Sequence, residues 1–103
     1  MMDTQSLFEP LVSDYLEETK VLAIDDKNKE LYMFGAAINV AGENHIKFVL
    51  FNIIPKYSSK GVMLQFEKED TMLLDEFFEM YYKEDEYFVT SDLLFAEEKL
   101  MSI

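Results

Sequence analysis

Residues 30 to 54 read "ELYMFGAAINVAGENHIKFVLFNII", and this central stretch determines which fold the sequence predicts. Residues 30–40 and 45–54 each have the composition of a long strand, and "AGEN" between them is typical of a hairpin turn. Pro55 ends the second strand, because proline cannot donate a hydrogen bond to a sheet ladder. The stretch therefore predicts an antiparallel hairpin in the middle of the chain.

Shorter apolar segments on either side extend this hairpin. "VLAI" at 21 to 24 is a strand closed by the polar turn "DDKNK", and "VMLQFE" at 62 to 67 alternates apolar and outward-facing positions. Short turns favour strands that follow one another in space as antiparallel neighbours. We therefore predict an antiparallel meander of three to four strands.

Three helices are predicted around the sheet. The first runs to about Lys20 and starts at either Leu7 or Pro10. The second is capped by Asp70 or Thr71 and ends at Lys83. "EYFV" at 86 to 89 is either a last short strand or an extended link, and a terminal helix capped by Thr90 or Ser91 reaches about Met101. The expected architecture is a single α+β domain over residues 1–103, with an N-terminal helix and two C-terminal helices on the sheet in two layers.

Charge limits the classes of partner. The 103 residues carry a net charge of −12, and all nine basic residues are lysine. Twelve acids and three lysines lie in residues 67–103, a net charge of −9. Nucleic acid and acidic membranes would be repelled by such a chain, whereas a basic protein partner is favoured. Because there is no cysteine, no signal-like N-terminus and no membrane-length apolar run, we expect a soluble, cytoplasmic protein.

No catalytic or cofactor motif is present. His45 is the only histidine, which excludes paired-histidine metal sites and leaves a serine triad without an alternative base. A calcium loop opened by Asp26 would place Leu31 and Ala37 where glycine and glutamate are required. We therefore predict a protein that is not an enzyme, with no cofactor and no metal. An enzyme using carboxylates and a divalent metal is the less favoured alternative.

The candidate binding site lies in "TMLLDEFFEMYYKEDEYF", residues 71 to 88. Phe77, Phe78 and Tyr81 fall on one side of the predicted helix, and an ordinary amphipathic helix with a solvated acidic face explains most of this pattern. It does not explain why only Lys83 offsets the acids, or why more acids and aromatics follow at once. The predicted partner-binding residues are Asp75, Glu76, Glu79, Tyr82, Glu84, Asp85, Glu86 and Tyr87.

These observations predict a small acidic protein-binding module, an inhibitor whose negative surface occupies a basic site of its partner. In size, acidity and lack of catalytic motifs the chain resembles phage anti-restriction and anti-CRISPR proteins that mimic DNA, and the resemblance implies a nucleic-acid-binding partner. A nuclease immunity protein or an acidic secretion chaperone fits the same composition. "FVLFNII" at 48 to 54 is apolar on both faces, so the terminal helix or another chain must cover one of them, and a homodimer is a second prediction.

Overall fold

A computed structural model describes residues 15, 18–55, 61–83 and 86–102. Most of these residues form one antiparallel sheet followed by short helices. The elements, in chain order, are β1 (Val21–Asp25), β2 (Glu30–Val40), β3 (Glu43–Pro55), β4 (Val62–Leu73), α1 (Leu74–Tyr82), β5 (Phe88–Thr90) and α2 (Leu93–Met101).

The sheet has five strands in the spatial order β4-β3-β2-β1-β5. Consecutive strands β1 to β4 pair as antiparallel neighbours, and β5 pairs with the free side of β1. The β2–β3 hairpin closes at the pair Val40 and Glu43, so its loop is Ala41 and Gly42. Both loop residues have positive φ, 51° and 87°, which is the geometry of a type I′ turn.

Successive side chains of each strand point to opposite sides of the sheet. The sheet therefore has two apolar faces, and each is covered by one helix. On the first, which we call the α2 face, Ala96 and Leu100 of α2 pack on side chains of β1, β2 and β3. On the second, the α1 face, Phe77 of α1 packs on Phe34 and on the neighbouring large side chains of β3. The hydrophobic core is therefore divided by the sheet, and the helices lie on opposite sides of it.

The predicted fold class is wrong in strand number and in layering. There are five strands rather than three to four, because residues 88–90 pair with β1 across a long sequence separation. The helices do not share a side, so the described chain has three layers instead of two. The α2 face of the sheet is covered by the terminal helix, one of the two covers that the sequence left open, and the homodimer stays a prediction.

The predicted N-terminal helix is also wrong where it can be compared. Its range to Lys20 lies largely outside the described residues, and those that are described, 15 and 18–20, contain no α-helix. The Lys20 amide donates a hydrogen bond of 2.9 Å to the Phe34 carbonyl, so the backbone already runs beside β2 at this point. Tyr15 packs its ring edge-on against Phe51, with centroids 5.6 Å apart.

No helix of the described chain is long and apolar enough to cross a membrane.

Candidate binding surface on helix α1

Helix α1 begins where β4 leaves its partner strand. Leu73 is the N-cap residue, with extended backbone angles of −60° and 141°, and its side chain makes no capping hydrogen bond. The predicted caps Asp70 and Thr71 are wrong, since both residues belong to β4. Asp75 and Glu76 lie in the first turn, where negative charge interacts favourably with the helix dipole. The helix start is thus supported by its acids rather than by a cap.

A chain of ring contacts fixes α1 on the sheet. Phe77, the one buried residue of α1, packs on the fully buried Phe34 with centroids 4.7 Å apart. Phe78 and Tyr81 contact Phe77 at 5.5 Å and 6.4 Å, and Tyr82 contacts Tyr81 at 5.5 Å. Phe78 and Tyr81 are therefore supported by a buried ring, and Tyr82 is supported through Tyr81, which limits the rotamer freedom that these rings can lose on binding.

The outward side of α1 carries alternating acids and aromatic rings. Asp75, Phe78, Glu79 and Tyr82 follow the i, i+3, i+4, i+7 spacing that places side chains in one row, and we call this row the outer stripe. All four side chains are exposed, Phe78 to 44% and Tyr82 to 75%. Together with Lys83 they line one shallow depression. The outer stripe presents two carboxylates and two rings to the same approaching group.

The carboxylates of the outer stripe form no ion pair with a described residue, and Lys83 is the one basic side chain that lines their depression. Both ion pairs between described residues lead to Asp26, from Lys29 at 2.6 Å and from Lys99 at 3.9 Å. Asp75 and Glu79 are four residues apart on the helix, an arrangement in which like charges repel by a few tenths of a kcal/mol. A cation bound between them would relieve that repulsion.

Glu43 adds to this surface and was missed by the sequence analysis. It lines a second depression with Asp75, at the junction of β4 and α1. The cause is the β3–β4 register, in which His45 pairs with Leu73, so that the start of β3 lies beside the start of α1. The hairpin turn and the meander could be recognised in the sequence. The position of Glu43 beside Asp75, however, depends on the strand register, which the sequence did not define.

The predicted site residues fall into separate groups. Asp75, Glu79 and Tyr82 lie together in the outer stripe, and Glu76 is exposed on the same helix. Glu86 and Tyr87 instead line a depression formed with the β1–β2 turn, residues 25–29. Residues 84 and 85, which the prediction also included as Glu84 and Asp85, lie outside the described residues. The structure thus brings Asp75, Glu79 and Tyr82 together and places Glu86 and Tyr87 elsewhere.

The β1–β2 turn has a structural explanation of its own. The buried carboxylate of Asp25 accepts a hydrogen bond of 3.0 Å from the backbone amide of Asn28 and one of 2.8 Å from the side-chain amide of Asn28.

Burial raises the pKa of Tyr87, and the carboxylates of Asp25 and Glu86 raise it further. Burial also raises the pKa of Tyr32 to about 12, so both phenols keep their protons near neutral pH. In the described parts of the chain, no group of three or more acidic or histidine side chains is arranged to hold a metal.

The sequence matches no family model, and it has no significant match among curated proteins or solved structures.

Proposed function

We propose that this protein is a non-enzymatic binding module whose acidic surface on α1 occupies a basic site of a partner protein. The observation that carries the proposal is the outer stripe, in which Asp75 and Glu79 lie beside exposed rings without an ion pair to any described residue. Glu43 and Glu76 enlarge the negative surface at the start of the helix.

Each component of this surface contributes to association. Carboxylates that are not neutralised attract a basic patch over a distance of about 10 Å at ordinary salt, which raises the rate of encounter. Exposed aromatic rings then supply the apolar contact that holds the complex, since Tyr and Trp dominate measured binding energies at interfaces. With a net charge of −12, direct binding to nucleic acid is disfavoured.

The finer proposal is that the partner's basic site is one that binds nucleic acid, and that the protein inhibits it by occupancy. Sites that bind phosphate backbones concentrate lysine and arginine, so they offer the positive field to which this surface is complementary. DNA and this protein would then compete for the same site, as phage anti-restriction and anti-CRISPR proteins compete with DNA.

A chaperone-type function is the second candidate, and one observation favours it. Helix α2 turns Leu94 and Phe95 towards solvent, with exposed fractions of 66% and 56%. Apolar residues exposed on a helix can hold an extended segment of another protein. Salt separates the two functions, because electrostatic docking weakens steeply as ionic strength rises and apolar burial does not.

The experiment is an affinity capture with two triple variants of equal net charge. The first, D75K/E76K/E79K, reverses the charge of α1. The second, E18K/E69K/E98K, reverses three exposed acids that do not belong to α1. Glu69 pairs with Val49 and therefore lies on the α2 face of the sheet, and Glu98 lies on α2 itself. Circular dichroism measures whether both variants remain folded, and the comparison requires that they do.

We expect the wild type and the second variant to retain the same host protein, and the first variant to lose it by at least about tenfold, the equivalent of 1.4 kcal/mol. DNA added to the capture should displace the retained protein. Equal capture by both variants would contradict binding through α1. Capture that survives high salt and is unaffected by DNA would favour the chaperone function instead.

A further inference from the structure

The outer stripe has a more specific chemistry than negative charge. Its acids and rings alternate along the helix, and each carboxylate has an aromatic side chain at i+3: Phe78 for Asp75, and Tyr82 for Glu79. All four side chains line the same depression. A cation that enters the depression therefore meets ring surfaces and carboxylate oxygens at once. An acidic surface without rings would bind any cation according to charge alone.

We propose that the outer stripe binds an arginine side chain of the partner, an inference that rests on the proposed function. A guanidinium group is planar, stacks on aromatic rings and donates paired hydrogen bonds to a carboxylate. A lysine ammonium is a compact and strongly hydrated charge that uses the rings less well. The alternation of rings and carboxylates thus discriminates between the two basic side chains.

The rings are positioned before the partner arrives. Phe78 packs on Phe77 with centroids 5.5 Å apart, and Phe77 in turn packs on Phe34 of the core. Tyr82 is the most exposed of the rings, and its contact with Tyr81 is edge-on, at an interplanar angle of 82°. Because Tyr81 also contacts Phe77, both rings of the outer stripe are supported through one buried side chain. Binding to such a surface costs less ordering entropy than binding to free side chains.

The occupant must be a different protein. All nine basic residues of this sequence are lysine, so a second copy of the sequence supplies no guanidinium. Two copies would also bring together surfaces of the same sign, which opposes association. The stripe is therefore assigned to a basic partner that presents arginine.

The test uses three capped peptides of equal length, in which glycine alternates with arginine, lysine or the neutral isostere citrulline. Calorimetry measures the affinity, and amide chemical shifts in ¹H–¹⁵N spectra locate the peptide on the protein. The F78L/Y82L variant removes the rings but keeps apolar side chains, and Y82L alone serves if the double variant does not fold. D75N/E79Q removes the charge of the stripe, and E69Q/E98Q removes the same charge on the α2 side.

We expect the wild type to bind the arginine peptide about fivefold more tightly than the lysine peptide, and to bind the citrulline peptide far more weakly. F78L/Y82L should lose the preference for arginine while keeping charge-dependent binding. D75N/E79Q should weaken both basic peptides, and E69Q/E98Q should change neither by more than about twofold. Shift changes should centre on residues 75–83.

Failure of this inference is distinguishable from failure of the proposed function. If arginine and lysine peptides bind equally and D75N/E79Q weakens both, the arginine assignment is overturned and the acidic docking surface stands. A preference for arginine that persists in F78L/Y82L overturns the role of the rings. If D75N/E79Q has no more effect than E69Q/E98Q, or neither basic peptide binds, both the inference and docking through α1 are overturned.

Discussion

The ring of Phe77 packs on the ring of Phe34, with centroids 4.7 Å apart and an interplanar angle of 66°. Phe34 lies on β2 at the centre of the sheet and is fully buried. Phe77 is the one buried residue of α1, and the partly buried Leu74 and Met80 pack on the same cluster, so this contact is the centre of the helix's attachment to the sheet. The position of the outer stripe depends on it, because the stripe lies on the opposite side of the same short helix.

Replacing Phe77 with alanine is expected to lower the free energy of unfolding by about 3–5 kcal/mol, the usual cost of emptying a buried phenylalanine site. Phe78→Ala is the matched control, since Phe78 is 44% exposed, and should cost only about 1 kcal/mol. Urea unfolding followed by circular dichroism measures both variants. Equal losses would show that α1 is not held through Phe77.

The β2–β3 turn contains a residue in an unfavourable conformation. Ala41 has a φ of 51°, a region that costs an ordinary L-residue about 1 kcal/mol and that asparagine tolerates better. Ala41→Asn is therefore expected to raise the free energy of unfolding by about 0.5–1 kcal/mol.

The neighbouring glycine supplies the control of opposite sign. Gly42 has a φ of 87°, and nothing lies within 4 Å of where its Cβ would be, so Gly42→Ala tests backbone strain without a steric clash. We expect Gly42→Ala to lower the free energy of unfolding by about 1 kcal/mol. Thermal unfolding midpoints that move in the same direction for both variants would contradict the assigned turn.

The hairpin was predictable because its signals are local. Apolar composition in residues 30–40 and 45–54, a turn between them and Pro55 at the end are all contained in neighbouring residues. The extent of β4 was not. Thr71 to Leu73 pair with Lys47 to His45 of the long strand β3, so pairing across the sheet prevailed over the local signal for a helix cap.

Contacts between residues distant in sequence account for the remaining differences between the predicted and the observed fold. Residues 86 to 89 allowed either a short strand or an extended link, and β5 forms at residues 88–90 because β1 offers it a free edge, a pairing that no local pattern encodes. The sequence of α2 predicts an apolar stripe of Leu93, Leu94, Leu100 and Met101. Leu100 is buried as predicted, but Ala96 is buried in place of the other three, since the sheet face that a helix meets depends on the route of the chain. On α1, helical periodicity was sufficient to place Asp75, Glu79 and Tyr82 together.

Glu30 should make stability depend on pH. Burial raises its pKa above the ordinary value of 4.5, and the nearby carboxylates of Asp25 and Glu67 raise it further. The folded protein therefore binds this proton more tightly than the unfolded chain, and stability falls as the pH rises from about 4.5 through the raised folded-state value. Glu30→Gln is expected to be more stable than the wild type at neutral pH, with a difference that disappears below about pH 4.

Asp26 provides the comparison of opposite sign. The hydrogen bond from Lys29 lowers the pKa of Asp26 below its ordinary value of 3.8, an effect to which the charges of Lys29 and Lys99 add. Its contribution is present above about pH 4 and is lost as the pH falls through the lowered folded-state pKa. Asp26→Asn should thus be less stable than the wild type at neutral pH. Chemical denaturation across a pH series tests both variants, and identical pH profiles would contradict the assigned shifts.

Lys83 is the basic residue that lines the depression of the outer stripe, and its ammonium group competes with any cation from a partner. It makes no ion pair with a described carboxylate, so its removal leaves no described partner unsatisfied. Lys83→Gln is therefore expected to bind the arginine peptide about threefold more tightly at low salt, because a repulsive charge near the binding site has been removed. The gain should shrink as salt is added.

Lys47→Gln is the matched control for this prediction, since Lys47 is exposed on β3 and its removal changes the net charge by the same amount. Its register partner Thr71 precedes α1, and neither residue lines the depression of the outer stripe. Calorimetric titration at low and high salt compares the two variants with the wild type. A local effect requires Lys83→Gln to gain clearly more affinity than Lys47→Gln. Equal gains would mean that the peptide responds to net charge alone, and a loss of affinity in Lys83→Gln would mean that Lys83 takes part in binding.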